Sequence, residues 1–408
     1  MVQVSPFKAI RPDKKLAHKV AALPYDVVNS QEAQELAQGN PYSYFHIDKA
    51  EIDVSPTLSA YDPQVYQKAA ENLMDFLAKG WLVKEEVAAF YLYELVMDGR
   101  SQTGLVTCTS IQDYLAEKIK KHEFTRHEKE VDRMNHIRTC DANTSPIFLS
   151  YRPQADIQAF IEEWKTAHAP IYDFASFHEV THRVWMINKQ PAIQKISDLF
   201  TAVETLYIAD GHHRTESAVK VGLEKRKNGQ QNSETEKFLA IIFPEDQLAI
   251  WEYNRVLNVD VPQDFFSRVA ENYIVTKTER KKPSQAGDCQ LYDGQAWYTL
   301  RIKPEKIPKD PVGKLDVALL QKYILEAIFD IKDIRTDQRI DFVGGIRGTM
   351  ELEELVDSGD WQLAFSMYPT QMKDLLTVAD AKKIMPPKST WFEPKLLSGL
   401  FLHDLETK

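Results

Sequence analysis

Thr205-Leu206-Tyr207-Ile208-Ala209-Asp210-Gly211-His212-His213-Arg214-Thr215 runs from an apolar stretch through a glycine turn into a helix-like stretch that continues to Lys227. A strand, a glycine turn and a helix N-terminus in that order make a ready anion site. The first N–H groups of a helix have no partner within it, and the helix dipole adds partial positive charge at the same end. Gly211 lets the main chain come close to a ligand. His212, His213 and Arg214 add donors, and Asp210 sets one carboxylate beside them. This set suits a phosphate together with a metal-bound or hydroxyl-bearing substrate. The plainer alternative is a common Asp-Gly turn with two solvated histidines. Adjacent helical residues project about 100° apart, so His212 and His213 do not form a paired metal site.

Working outward, the chain has 408 residues, which suggests two or three domains. Hydrophobic residues make up 43% and charged residues 27%, as in ordinary globular proteins. The 60 acidic side chains outnumber the 50 basic ones, giving a net charge of −10 that argues against general nucleic-acid binding. Cys108, Cys140 and Cys289 are scattered and odd in number, so neither a disulfide framework nor a structural zinc site is expected. Met1 to Lys15 lacks the apolar core of a signal peptide, and no run of about 18 apolar residues occurs. A cytoplasmic protein with no membrane partner is the expectation.

Strands and helices alternate along the chain, which predicts an α/β (α+β mixed) protein. Ser30 caps a helix from Gln31 to Gln38, and Asn40-Pro41 opens a turn followed by a strand through Tyr42–Ile47. Pro63 to Lys79 has helical spacing and ends at Gly80. Ala88–Met97 and Thr103–Ile111 read as a hairpin about Asp98-Gly99. Asp113 to Asp141 is strongly charged and reads as mostly helical. Pro146–Tyr151, Ala175–Glu179, Thr181–Ile187, Phe238–Phe243 and Ile250–Leu257 read as strands. Ala155–His168, Leu315–Ile328 and Gln371–Lys382 read as helices.

Two further segments carry candidate chemistry. His122-Glu123-Phe124-Thr125-Arg126-His127 tempts a zinc-protease reading, but its histidines are five apart where four are needed. The same region carries Arg126, Lys129 and Arg133 among acidic residues. That is either a solvated face laced with ion pairs or a cationic stripe aimed at a phosphate, with a carboxylate as general base. Near the C-terminus, Met385-Pro386-Pro387-Lys388-Ser389-Thr390-Trp391-Phe392 is stiffened by proline. It either packs as an arm through Trp391 and Phe392 or presents Lys388 to a phosphate. Walker, Rossmann and serine-hydrolase elbow motifs are all missing.

Pro24-Tyr25-Asp26-Val27, Asn40-Pro41, His122-Glu123 with Thr125-Arg126, Asp132-Arg133, Asp210-Gly211-His212-His213-Arg214, Asn254-Arg255-Val256-Leu257 and Met385-Pro386-Pro387-Lys388-Ser389-Thr390 recur in one order. Together they resemble the prokaryotic family of domain of unknown function 1015, over nearly the whole chain. The family name carries no activity. The turn alone, Asp210 to Thr215, is similar to the phosphate-binding turn of the ParB/sulfiredoxin-like superfamily, in which free-serine kinases carry nearly this string.

That second resemblance implies a ParB/sulfiredoxin-like unit over residues 115–260, between N-terminal (1–114) and C-terminal (261–408) α+β parts. It implies Asp210 as the metal or substrate carboxylate, and Gly211, His212, His213, Arg214 and Thr215 as a phosphate cradle. Glu123 stands for the separate base, with Arg126 and Lys388 as further nucleotide contacts. The implied cofactors are ATP or ADP with Mg2+. The implied activity is nucleotide-dependent phosphorylation of a small hydroxylated metabolite, with free L-serine first among acceptors; His213, Arg214 and Lys388 would offset developing charge. The alternatives are a non-catalytic nucleotide-binding regulator and a metal-dependent phosphatase. Whether copies of the chain assemble stays open.

Overall fold

The computed structural model describes residues 1–406. Its chain groups into two units, one formed by Met1–Lys120, Thr125–Leu248 and the chain from Pro394, the other by Lys121–Phe124 and Ala249–Glu393. The protein is a mixed α/β structure with several sheets, in line with the alternation read from the sequence.

The first unit is built on a nine-stranded mixed sheet. Its path runs Ile119–Lys120, Leu206–Asp210, Ile147–Tyr151, Lys237–Pro244, Arg100–Ser110, Phe90–Met97, Thr181–Ile187, Tyr172–Ala175, and Val4–Ser5 adds to Arg100–Ser110 off that path. Leu206–Asp210 lies parallel to Ile119–Lys120 and antiparallel to Ile147–Tyr151. Leu206, Ile208, Leu149 and Ile242 join Met134 and Ile137 of the helix His127–Cys140, and Ala218, Val219 and Val221 of the helix His212–Lys227, in one buried cluster. Both helices therefore pack on the sheet beside the strand that carries the glycine turn. Gly222 lets the helix His212–Lys227 pack against Ile111 at the start of the short helix Ile111–Leu115, whose side chain a Cβ there would overlap.

Local rules account for much of this. The hairpin turns at Asp98 and Gly99, both at positive φ (51° and 76°), as a two-residue loop requires. The helix Pro63–Ala78 starts with Asp62 accepting from Gln64 N–H at 2.9 Å and with Pro63 in its first turn. Other expectations are corrected. Tyr42–Ile47 is not a strand: Phe45–Asp48 is a helical turn that buries Tyr44, Phe45 and Ile47 in one cluster with Leu73 and Phe76. Between Asp113 and Asp141 only Ile111–Leu115 and His127–Cys140 are helical, and residues 121–126 are not, so His122 and Arg126 share no helix face with Lys129 and Arg133. The strand expected at Ala175–Glu179 ends at Ala175, and the helix expected over Leu315–Ile328 is interrupted by a π-helical turn, Gln321–Glu326.

The second unit holds a six-stranded antiparallel sheet, ordered Tyr273–Thr278, Trp297–Ile302, Asp288–Tyr292, Leu363–Met367, Tyr253–Leu257, Ile340–Gly344. Ala249–Trp251 pairs with Trp391–Glu393. Among the described residues no helix is long and apolar enough to cross a membrane.

One buried group of the first unit makes stability depend on pH. His182 lies between Tyr93 Oη (2.7 Å from Nδ1) and Ser176 Oγ (2.8 Å from Nε2), and burial pushes its pKa down to about 3. It is neutral in the fold and takes up a proton on unfolding below its ordinary value. Its contribution is intact above about pH 6.5 and is lost as pH falls from there towards 3. At pH 4.5 the loss is about 2–3 kcal/mol. Urea unfolding at pH 7 and pH 4.5 checks this, with the His182→Gln variant expected to lose that much less stability on acidification than the parent.

Candidate functional site

Asp210 closes the buried strand, and the pairing with Phe148 and Leu149 slips one residue between Ile208 and Asp210. Such a slip re-aims a side chain at the end of a strand. Asp210 Oδ1 then accepts the N–H of Gly211 at 2.8 Å. Gly211 caps the helix at φ 96°, ψ 33°, a left-handed conformation open to glycine at little cost. Thr215, fully buried, donates its hydroxyl back to Gly211 O at 3.0 Å and so locks the first helical turn.

Arg214 folds back beneath the turn. It is buried, donates from Nη1 to Pro146 O, and places Nη2 3.6 Å from Asp210 Oδ2. Its Nε is buried with no hydrogen-bond partner among the described residues. A Cβ on Gly211 would lie 3.0 Å from that Nε and 3.2 Å from Cζ, so the glycine serves both its own φ and the seating of the guanidinium. Burial works to lower the Arg214 pKa, but Asp26 and Asp210 outweigh it and hold the group firmly charged.

Residues remote in sequence gather on the same spot within the first unit. Arg133 stacks on the Tyr25 ring at 4.0 Å and donates to Asp132 at 2.9 Å and Asp48 at 3.4 Å. Ser145 donates to Asp48 at 3.0 Å, and Tyr66 to Asp132 at 3.0 Å. Burial and the charge of Arg133 push the His136 pKa down; its Nε2–H donates to Ile47 O at 2.9 Å and its Nδ1 faces Thr144 Oγ1 at 3.2 Å. Tyr25, Arg133, His136, Thr144, Ser145 and Arg214 line one cavity. Asp26 is exposed and acts electrostatically on both Arg214 and His213. Sequence reading flagged Tyr25-Asp26 as a motif without a role and placed Arg133 in a stripe that could face a phosphate. Asp48 and His136 carried no signal at all.

His213 requires a correction. Its Nε2 accepts the backbone N–H of Arg126 at 2.9 Å, so the ring proton sits on Nδ1. Burial lowers its pKa, and Arg126 and Lys129 add to that against Asp26 and Glu130. His213 is a neutral donor through Nδ1, not the cation expected to offset phosphate charge. His212 is buried. Arg126 precedes the helix His127–Cys140 and is exposed, whereas Arg133 is buried, so the expected cationic stripe is divided.

Glu123 and Lys388 belong to the second unit. Glu123 is half-buried in Lys121–Phe124, a segment tied by Met385 N–H to His122 O at 2.8 Å. Lys388 is exposed at φ 58° and donates to Tyr253 Oη at 2.9 Å. Arg255, buried and pushed down to about 10 by that burial, donates to Lys388 O at 2.9 Å, while Asn254 accepts Met367 N–H at 2.9 Å. The Asn254-Arg255 and Met385–Thr390 motifs thus support each other within this unit.

The family model described as "Protein of unknown function (DUF1015)" matches residues 4–318. Among solved structures the chain is similar to a free serine kinase in complex with AMP (12% identity, 70% of this chain and 86% of that chain, TM-score 0.36). It is also similar to SbnI with a C-terminal truncation from Staphylococcus aureus (12%, 72% and 85%, TM-score 0.39). A conserved hypothetical protein from Pyrococcus furiosus gives 12%, 73% and 94%, TM-score 0.35. No curated protein matches the sequence.

The seating of Arg214 is testable through two glycines of the same unit. Gly229 also has positive φ (73°), but a Cβ there meets nothing within 4 Å. Gly229→Ala is expected to cost about 1 kcal/mol, the left-handed penalty alone. Gly211→Ala is expected to cost about 2–3 kcal/mol, because the guanidinium must also shift. Thermal or urea unfolding of both variants measures the difference; equal losses would refute a tight contact beneath Gly211.

Proposed function

The chain belongs to the family of domain of unknown function 1015, and from that premise and the geometry of its first unit we propose a nucleotide-dependent kinase of a small hydroxylated metabolite, with free L-serine the first candidate acceptor. The observation that carries this reading is the gathering of Tyr25-Asp26, Asp132-Arg133 and Asp210–Thr215 about one helix N-terminus. The helix dipole there favours phosphate. The likeness of Asp210–Thr215 to the ParB/sulfiredoxin-like phosphate turn supports the same assignment.

Phosphoryl transfer needs positioning and charge neutralisation more than covalent help from the protein. The N–H groups of His212 and His213 and the Nδ1–H of His213 supply donors to phosphate oxygens, and Arg214 supplies fixed positive charge behind them. Asp210 orients the acceptor hydroxyl. Asp26 and Asp210 offer the hard carboxylate oxygens that Mg2+ takes alongside phosphate, and that ion would offset the charge of ATP or ADP. The general base within this unit is Asp26.

Incubation with ATP or ADP, Mg2+ and L-serine, read by mass spectrometry, is expected to yield O-phosphoserine. Asp210→Asn is expected to lower turnover by roughly 10²–10³-fold. Asp26→Asn is expected to lower turnover and to shift the acidic limb of the pH–rate profile. A nucleotide-induced thermal shift with no turnover on any hydroxylated metabolite would replace the kinase with a sensor. Phosphate release from phosphoserine without nucleotide would replace it with a phosphatase.

A further inference from the structure

The ring proton of His213 is set from outside its own helix. Its Nε2 accepts the backbone N–H of Arg126 at 2.9 Å. A peptide N–H only donates, so this contact fixes Nε2 as the acceptor and leaves the proton on Nδ1. Arg126 closes a stretch, residues 121–126, that forms neither helix nor strand, just ahead of the helix His127–Cys140. Glu130 holds it there from both sides. The Glu130 carboxylate accepts the hydroxyl of Thr125, the residue before, and the Glu130 N–H donates to Arg126 O at 3.0 Å. The same residue grips the helix that carries the imidazole. Ser217 Oγ donates to Glu130 O at 3.1 Å, and Lys220 Nζ pairs with the Glu130 carboxylate. His213, Ser217 and Lys220 follow at i, i+4 and i+7, so they lie along one face of that helix. Burial tends to raise the Glu130 pKa, but the hydrogen bonds from Lys220 and Thr125 outweigh it and keep the group ionised.

An ion pair that merely joined two helices would need Lys220 alone. Lys220 occupies Oε2 of Glu130, and Thr125 takes the other oxygen, Oε1. That second contact reaches into the segment whose N–H meets the imidazole. We infer that Glu130 is a positioning residue of the candidate site: through Thr125 and Arg126 it holds His213 with its proton on Nδ1, the nitrogen left to donate to a phosphate oxygen. The identity of that oxygen rests on the kinase reading, whereas control of the tautomer does not. What Arg126 brings to the site is its backbone N–H, and Thr125-Arg126 acts there through the imidazole of His213.

Imidazole 15N spectra of the full chain test it, with the His213 resonances assigned by their loss in His213→Asn. Turnover with ATP or ADP, Mg2+ and L-serine is followed in parallel. The parent is expected to show a neutral His213 with its proton on Nδ1. Thr125→Val removes the hydroxyl and leaves the Lys220 pair. It is expected to mix the two tautomers and to lower kcat by about threefold or more, following the fraction that keeps Nδ1–H, with the nucleotide KM changed by less than about twofold. Thr125→Ser is expected to restore both readings. Lys220→Met loosens the helices and leaves the hydroxyl in place, so it is expected to lower Tm and keep the tautomer. A parent with the proton on Nε2 overturns the inference, and that spectrum decides should Thr125→Val not fold. A Thr125→Val variant that keeps the parent signature, or a Lys220→Met variant that mixes the tautomers as much, overturns it as well. A tautomer that responds as expected in a protein with no turnover overturns the kinase reading alone. An unaltered tautomer with turnover intact overturns the positioning role alone.

Discussion

A buried guanidinium beneath a glycine turn is the constraint around which the first unit is arranged. Arg214 comes from the first turn of its helix and reaches back under Gly211. That position is open because residue 211 has no Cβ, because its φ is positive, and because the strand slips register just before Asp210. Pro146 O and Asp210 then hold the guanidinium from two sides. Remove Asp210 and the buried cation loses its nearest carboxylate, a situation that costs several kcal/mol.

The surroundings are organised to tolerate that cation. Asp26 and Asp210 keep Arg214 charged, while Asp48 and Asp132 do the same for Arg133. The histidines nearby respond in the opposite sense. His136 and His213 are both pushed towards neutrality, by burial first and by adjacent cations second. Positive charge is thereby carried by arginines, whose planar donors suit oxyanions, and the imidazoles are left as neutral donors and acceptors. The helices His127–Cys140 and His212–Lys227 are fastened across this region, with Ser217 donating to Glu130 O at 3.1 Å and Lys220 paired to the Glu130 carboxylate.

Where local rules were strong, reading the chain succeeded. The apolar run ending at Asp210, the glycine and the helix to Lys227 appear as read, as do the Asp98-Gly99 hairpin and the helix at Pro63. Reading failed where tertiary burial competes with propensity. Tyr44, Phe45 and Ile47 look like strand residues, yet the core takes them as a helical turn. Charge in 113–141 masked the break before His127, since polar segments carry no periodicity to place a helix start. The neutrality of His213 was invisible because it depends on burial, and its tautomer on a backbone N–H 87 residues away.

The sequence by itself determined family membership, the mixed α/β class and the strand–turn–helix that presents Asp210 to Thr215. These follow from contiguous residues, and backbone sterics and helix capping act over a few positions. Only the tertiary structure decided that Tyr25, Asp26, Asp48, Arg133 and His136 attend that turn, that Arg214 lies beneath it with an unmatched Nε, and that Glu123 and Lys388 fold with the second unit. Those placements depend on strand pairing and helix packing between segments far apart in the chain, where spacing along the sequence carries no information about distance.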